Sequence, residues 1–188
     1  MQTPRYAADL RGSRRALGAG AGSRGMVYGQ ELDLKYEALA ATEEQLRLIH
    51  RNKTGALINA AIQMGAAAAG ATPQQCEILA SYAYGLGLVF QIVDDVLDVT
   101  STPEQLGKPI GSDSENGKTT FVTLYGVDGA MVLAQKLNEQ ICNDLQQHFG
   151  AKAAFCSSWL SSFWCAKTKE KGIQICSLFK ISYQPIRS

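Results

Sequence analysis

The chain has 188 residues, enough for one sizeable hydrophobic core, and its apolar fraction of 46% is ordinary for a globular protein. The net charge of +1 conceals a partition, because residues 26–151 carry a clear excess of acids and both flanking segments are basic. The excess basic residues lie at the two ends of the chain, and nucleic-acid binding has little support. The acidic centre instead favours a folded domain that uses cations.

Membrane and export signals are weak in this sequence. Residues 78–93 form an uncharged, largely apolar run, but they fall short of the ~18–20 residues that cross a bilayer and include two glycines. The first 24 residues lack the apolar core of a signal peptide. The five cysteines show neither metal-ligand spacing nor an even-numbered framework. These features predict a cytoplasmic protein with reduced thiols and no transmembrane segment.

Helix-start signals recur through the first two thirds of the chain. Residues 1–24, rich in glycine and arginine, predict a loose leader. Thr42 with Gln45 forms a capping box, and apolar residues then recur at helical spacing up to residue 70. Thr72 with Gln75 forms a second box, which opens a helix that runs to about residue 100.

The remaining signals are also helical. A short helix is predicted at 102–107, a glycine-rich loop at 107–118, a helix start at 119–125 and a further helix at 129–149. Gly150 stands where a C-cap glycine belongs. Because no window alternates with a period of two, strands are not expected and the predicted class is all-α.

Three aspartates dominate the helix that begins after Thr72. Asp94, Asp95 and Asp98 are its only charged residues between positions 78 and 99. Asp94 and Asp98 share one helix face, and Asp95 points about 100° away. Crowded carboxylates on a mostly buried helix are costly to desolvate, and a bound cation relieves that cost. Oxygen ligands favour Mg²⁺, and a solvated helix end is disfavoured by the uncharged turns before the acids.

Lysines flank the acidic helix on both sides. Lys53 lies in the helix before it, next to Thr54, while Lys108 and Lys118 bracket the glycine-rich loop after it. Carboxylates that face lysines across a cleft could form salt bridges. A metal ion together with several lysines is also what a diphosphate requires, since the ion neutralises some phosphate oxygens and the ammonium groups bind others.

These segments together resemble a known family, the trans-isoprenyl diphosphate synthases, which include geranylgeranyl and farnesyl diphosphate synthases. Four matching motifs occur in the family's order over roughly residues 25–150. They are G-M-V-x-G-Q-x-x-D-L at 25–34, K-T-G at 53–55, F-Q-x-x-D-D-x-x-D at 90–98, and G-K-x-x-G-x-D with G-K-T-T-F at 107–121. The resemblance implies an all-helical isoprenoid-synthase fold with a central cavity.

The resemblance also implies an enzyme, a Mg²⁺-dependent prenyltransferase that joins an allylic diphosphate to isopentenyl diphosphate. The three aspartates then match the second aspartate-rich motif, which holds Mg²⁺ on the allylic diphosphate, with Asp94 and Asp98 as the preferred ligands. The other implied site residues bind substrate or lie beside the reacting carbon, with Lys53, Thr54, Gln91 and Lys108 in catalytic roles. The substrate-binding set is Gln30, Lys53, Phe90, Gln91, Lys108 and Lys118.

Three parts of the family pattern are absent from this sequence: the first D-D-x-x-D motif, the arginine pair after it, and a G-K-x-x-R segment that grips isopentenyl diphosphate. The chain therefore resembles the second half of a synthase. It divides into a non-matching leader at 1–24, a partial synthetase domain at 25–150 and a divergent tail at 151–188. Helices missing from this half predict an exposed hydrophobic face and association with copies of itself or with another chain.

Two alternatives to an active prenyltransferase follow. The first is a non-catalytic half-synthase that acts as a partner or regulatory subunit of a full-length prenyl diphosphate synthase. The second is a cyclase-like enzyme with one aspartate motif and an N-S-E-type triad, which is disfavoured because Glu115 precedes Asn116. Product chain length is not readable, since the residues that set it in the family lie upstream of the matching motifs.

Overall fold

The structure, a computed structural model, describes residues 6–37, 39–100, 118–154 and 156. Within these ranges every regular element is helical and no strand occurs, so the predicted all-α class is confirmed. The helices are α1 (Tyr6–Ala21), α2 (Met26–Glu37), α3 (Glu43–His50), α4 (Ala56–Ala68), α5 (Pro73–Thr100) and α6 (Phe121–Phe149). A π-helical turn at Arg51–Gly55 joins α3 to α4, and a 3-10 turn at Gly150–Ala153 follows α6.

The hydrophobic core lies between α5 and α6. Val89, Ile92 and Val93 of α5 are completely buried, and so are Phe121 and Ala134 of α6. Burial of each large apolar side chain contributes about 1.5–3 kcal/mol relative to exposure, so this contact is a principal source of stability. The helix that carries the three aspartates, α5, is therefore part of the hydrophobic core.

One helix among the described residues, α5, is long and apolar enough to cross a membrane by length and composition alone. Its apolar side chains have another use, because the stripe that includes Val89, Ile92 and Val96 is buried against the other helices. The core helix of a water-soluble protein has the same composition, so this feature is weak evidence for a membrane span.

The predicted helix starts are confirmed by reciprocal hydrogen bonds. The Gln45 backbone N–H donates to the Thr42 hydroxyl, while the Thr42 N–H donates to the Gln45 side chain. Thr72 and Gln75 make the same pair of bonds at the start of α5. Each such cap contributes about 1 kcal/mol to helix stability. These helix starts could be predicted from the sequence because the hydrogen bonds that form them join residues only three positions apart.

The prediction of a loose leader is wrong for residues 6–21, which form helix α1. Small residues allow α1 to approach α4 very closely. A Cβ placed on Gly20 would lie 2.6 Å from both the Ala56 carbonyl oxygen and the Ala60 Cβ. Gly20, which lowers local helix propensity, therefore permits this tertiary contact, and the contact overrides the propensity.

Two glycines of neighbouring helices contact the backbone of the π-helical turn. A Cβ on Gly29 of α2 would lie 2.0 Å from the Lys53 backbone nitrogen, and a Cβ on Gly87 of α5 would lie 2.8 Å from the Gly55 Cα. The backbones of α2, the turn and α5 are thus in direct contact. π-Helical turns occur frequently at functional sites, and this one carries Lys53 and Thr54.

The start of α6 is fixed to α3. Thr119 accepts a hydrogen bond from the Ala41 backbone N–H at 3.0 Å, and the Tyr125 hydroxyl donates to Glu43. Helix α6 bends at Gly126, whose φ of 71° suits glycine, in agreement with the predicted break between residues 125 and 129. Gly150 ends the helix with a positive φ, as expected. The predicted helix at 102–107, the loop with Lys108, and residues 157–188 lie outside the described residues.

Candidate functional site

One buried carboxylate joins the two lysines that the structure describes among the predicted site residues. The Lys53 Nζ lies 2.5 Å from Asp33 Oδ2, and the Lys118 Nζ lies 2.9 Å from Asp33 Oδ1. Asp33 is only 8% exposed, whereas both lysine side chains remain partly accessible. The ammonium groups of residues 65 positions apart therefore meet at one point on the molecular surface.

The lysines determine the protonation state of Asp33. Burial by itself would raise the pKa of the Asp33 carboxyl, but hydrogen bonds from Lys118 and Lys53, together with their positive charges, lower the pKa overall. The carboxylate is consequently ionised at neutral pH. Each partner compensates for the other's desolvation, so the cluster is stable only as a unit.

A histidine lies beside this cluster. His50 is buried, its ring stacks on Phe121 with centroids 5.7 Å apart, and burial lowers the pKa of the imidazole to about 4. The negative charge of Asp33 raises that pKa, and the charges of Lys118 and Lys53 lower it. Neither ring nitrogen has a hydrogen bond of standard geometry among the described residues, although Gln91 approaches closely enough to raise the pKa somewhat. His50 is therefore neutral at physiological pH.

The aspartates share a helix face with the residue that meets the lysine-bearing turn. Gly87, Gln91, Asp94 and Asp98 follow one another at intervals of three or four along α5, so they lie on one face. Gly87 is the point of contact with the π-helical turn. Asp94 lies seven residues further on, about 10 Å along the helix axis from that contact.

The three aspartates differ in their surroundings. Asp94 is exposed, Asp98 is 6% exposed, and Asp95 accepts a hydrogen bond at 2.8 Å from the Phe121 backbone N–H at the start of α6. In the described part of the chain, no group of three or more metal-ligating side chains comes together. Asp94 and Asp98 fit part of a Mg²⁺ site, because they supply carboxylate oxygens one turn apart on one face.

An open groove of about 540 Å³ lies between α2 and the π-helical turn. The polar part of its lining comes from Gln30, Glu31, Lys53 and Thr54, and Val27 and Leu34 are exposed apolar residues within it. The exposure of Val27 and Leu34, at 52% and 61%, agrees with the predicted hydrophobic face. Lys53 therefore belongs both to the charged cluster with Asp33 and to the lining of the groove.

The structure thus brings together some of the predicted site residues. Lys53, Thr54 and Gln30 share the groove, Lys118 joins Lys53 through Asp33, and Gln91 approaches His50. Phe90 is half-buried and packs against the core, while Lys108 lies outside the described residues. The sequence interpretation missed Asp33 and His50. Asp33 stood inside a recognised motif without a role, and His50 lies three residues before Lys53 on the same helical path.

The described residues thus form an all-helical fold in which an aspartate-bearing core helix contacts a lysine-bearing π-helical turn. Its family follows from direct comparison. The polyprenyl synthetase family profile matches residues 21–156. The chain therefore belongs to the polyprenyl synthetase family.

Individual relatives agree with this assignment. Geranylgeranyl pyrophosphate synthase 9, chloroplastic, of Arabidopsis thaliana is 42% identical over 136 residues, which cover 71% of this chain and 38% of that protein. Farnesyl diphosphate synthase of Geobacillus stearothermophilus is 42% identical over 114 residues, 61% of this chain and 38% of that enzyme. The matches thus span less than half the length of these relatives.

Solved structures show the same relationship. A geranyltransferase from Helicobacter pylori, crystallised with magnesium and isoprenyl diphosphate, superimposes with a TM-score of 0.75 at 32% identity. The superposition covers 84% of this chain and 52% of that one. An FPP/GFPP synthase from Zymomonas mobilis gives a TM-score of 0.67 at 28% identity, with 81% and 50% covered. The fold is therefore shared, and about half of each solved chain has a counterpart here.

Proposed function

We propose that this chain is a prenyltransferase of isoprenoid biosynthesis that binds an allylic diphosphate with Mg²⁺ and joins its prenyl group to isopentenyl diphosphate. The observation that carries the proposal is the convergence of Lys53 and Lys118 on Asp33, with Lys53 also lining the groove. The turn that carries Lys53 contacts the aspartate-bearing helix α5 at Gly87. Membership of the polyprenyl synthetase family supports the same reaction class.

The proposed roles follow from the placement of the residues. The ammonium groups of Lys53 and Lys118 bind diphosphate oxygens and stabilise the negative charge that develops as the allylic C–O bond breaks. Lys108 takes the same role on the basis of its motif alone. When bound, Mg²⁺ supplies Lewis-acid neutralisation of the diphosphate, and Asp94 and Asp98 are the residues that would hold it, with Asp95 as a further candidate.

The groove provides for the other half of the substrate. Its apolar residues Val27 and Leu34 suit contact with a prenyl chain. Thr54 and Gln91 are proposed to lie beside the reacting carbon and the diphosphate, with Gln30 as a polar residue of the cavity. Phe90 is proposed to help shape the site for isopentenyl diphosphate.

The reaction is tested by incubating purified protein with labelled isopentenyl diphosphate, an allylic diphosphate and Mg²⁺. The proposal expects an elongated, labelled prenyl diphosphate that is absent when EDTA replaces Mg²⁺. The matched variants are K53Q, which removes a proposed diphosphate ligand, and K136Q, which removes a lysine from the distant part of α6. K53Q should lose most of the product, whereas K136Q should retain it.

A second candidate function is that of a non-catalytic partner of a full-length prenyl diphosphate synthase. The observation in its favour is the exposed apolar surface of α2 at Val27 and Leu34. Size-exclusion chromatography with a full-length synthase should then give a stable complex. Migration of this chain apart from the synthase would contradict the partner role.

The compartment and the oligomeric state remain predictions. The Arabidopsis relatives include proteins named as chloroplastic and mitochondrial, and the Geobacillus enzyme is bacterial. The cytoplasmic assignment and self-association therefore depend on the sequence features alone. Fractionation of cells that express a tagged chain would test the first, and light scattering would test the second.

A further inference from the structure

We propose that Asp33 is a positioning residue that holds Lys53 and Lys118 together as a single anion-binding unit. The proposal rests on the proposed function, since it deepens the account of how the diphosphate is bound. It assigns a role to a residue that contacts the two lysines and lies behind them, further from solvent.

The geometry of the carboxylate supports this role. Each carboxylate oxygen of Asp33 binds one lysine: Oδ2 binds the Lys53 ammonium group and Oδ1 binds that of Lys118. The two ammonium groups are therefore held by the two oxygens of one planar carboxylate. The Asp33 side chain is 10% exposed, but the side chains of Lys53 and Lys118 are 34% and 22% exposed. The carboxylate is therefore the most buried part of the cluster, and the lysine side chains are more exposed to solvent.

A fixed carboxylate can hold two lysine ammonium groups close together, which the lysines alone would not do. Like charges repel, and a lysine ammonium is carried on a long flexible stem with high rotamer entropy. A buried anion between the two ammonium groups offsets their repulsion and restricts their positions before any ligand arrives. Less side-chain entropy is then lost when a diphosphate binds.

The backbone fixes the position of the carboxylate. Asp33 is one turn after Gly29 on α2, and Gly29 lies against the backbone of Lys53 itself. The helix that carries the carboxylate is thus in van der Waals contact with the turn that carries one of its lysine partners. The distance between Asp33 and Lys53 is set by this backbone contact, not only by their side chains.

A different role for Asp33 makes the opposite prediction. Two lysines and one aspartate give the cluster a formal charge of +1, to which the neutral His50 adds nothing. Replacement of Asp33 by asparagine would raise that charge to +2. If Asp33 merely occupied the lysines until a ligand displaced it, the D33N change would strengthen anion binding. A positioning role requires that binding weaken in spite of the added positive charge.

The test is a calorimetric titration of the full chain with inorganic pyrophosphate in the presence of Mg²⁺. Wild type, D33N and D33E are compared with D144N, which makes the same charge change at an exposed position on α6. We expect D33N to weaken pyrophosphate binding about tenfold or more, D33E to weaken it less, and D144N to bind as wild type does. Circular dichroism at the titration temperature shows which variants are folded.

A double-mutant cycle separates positioning from general destabilisation. If Asp33 acts through Lys118, the D33N change should have a smaller effect on binding in a K118Q background than in wild type. Equal effects in both backgrounds, or binding by D33N or D33E as tight as wild type, would overturn the positioning role. If D33N does not fold, D33E and its cycle with K118Q decide the question. Failure of the wild-type protein to bind pyrophosphate would instead overturn the proposed function and the inference with it.

Discussion

Gly29 lies directly against the backbone of Lys53, so closely that a Cβ on Gly29 would be 2.0 Å from the Lys53 amide nitrogen. Few packing contacts in the structure are as restrictive, because the atom approached is backbone and cannot rotate away. Gly87 of α5 makes a similar close approach to Gly55 in the same turn. The turn that carries Lys53 can therefore pack this closely against α2 and α5 only because positions 29 and 87 are glycine.

The first prediction concerns the G29A substitution. The added methyl group cannot be accommodated without moving α2 away from the π-helical turn, so we expect a loss of about 1–3 kcal/mol in the free energy of unfolding. The Lys53–Asp33 ion pair should also be disturbed, with weaker pyrophosphate binding. Urea denaturation measures the first effect and calorimetry the second.

The matched control is G65A in the exposed part of α4, where a Cβ would meet nothing within 4 Å. Alanine has a higher helix propensity than glycine, so G65A should leave stability unchanged or raise it by up to ~1 kcal/mol. Equal stability of G29A and wild type would show that the close approach of α2 is not required.

The second prediction concerns stability below neutral pH. Burial lowers the pKa of His50 to about 4, below its ordinary value of 6.5, so the unfolded chain binds more protons than the folded one between these values. His50 should therefore destabilise the fold progressively as the pH falls from about 6.5 to about 4, by roughly 3 kcal/mol in total. Denaturation midpoints measured across this range test the slope.

Histidine substitutions identify the source of that slope. The chain contains two histidines, the buried His50 and the exposed His148. H50Q should flatten the dependence of unfolding free energy on pH between 4 and 6.5, whereas H148Q should leave most of it in place. Retention of the full slope in H50Q would mean that other groups cause the acid sensitivity.

The sequence predicted those features of the fold that depend on neighbouring residues. The capping boxes at Thr42 and Thr72 and the glycine at position 150 are local signals, and the structure confirms them. Helix α1 was missed because its stability comes from contact with α4, where Gly20 meets Ala56. Glycines in a single sequence predict a loop, and only the partner helix reveals close packing.

The candidate site was predictable to the extent that its residues lie in contiguous motifs. Lys53 and the aspartates were found in this way, but the cluster around Asp33 depends on residues 20 and 85 positions away. Asp95 was assigned to a metal on the basis of its neighbours. That one of its oxygens accepts a hydrogen bond from Phe121 depends on tertiary structure.

The third prediction separates two roles of Asp95. Its carboxylate accepts the Phe121 N–H at the first turn of α6, where that donor has no partner within the helix. D95A should therefore cost about 1–2 kcal/mol of stability. D95N keeps an oxygen acceptor and should retain most of that stability. D144A, at an exposed position on α6, is the control and should change stability little.

Binding measurements on the same variants complete the comparison. If Asp95 also contributes to a Mg²⁺ site, the near-native stability of D95N should be accompanied by weaker Mg²⁺-dependent pyrophosphate binding. Unchanged binding in D95N would restrict Asp95 to its structural role and leave Asp94 and Asp98 as the proposed ligands. If D95A had the same free energy of unfolding as wild type, the role of Asp95 in capping α6 would be contradicted.

The most direct test of the central claim is calorimetry of the wild-type chain with an allylic diphosphate, geranyl diphosphate, in the presence and absence of Mg²⁺. The proposed site requires both the lysine pair and a metal on the aspartate-bearing face, so saturable binding should appear with Mg²⁺ and be lost in EDTA. The same titration with K53Q should show binding weakened at least tenfold. Absence of binding with Mg²⁺, or binding that neither EDTA nor K53Q alters, would contradict the assignment of this site.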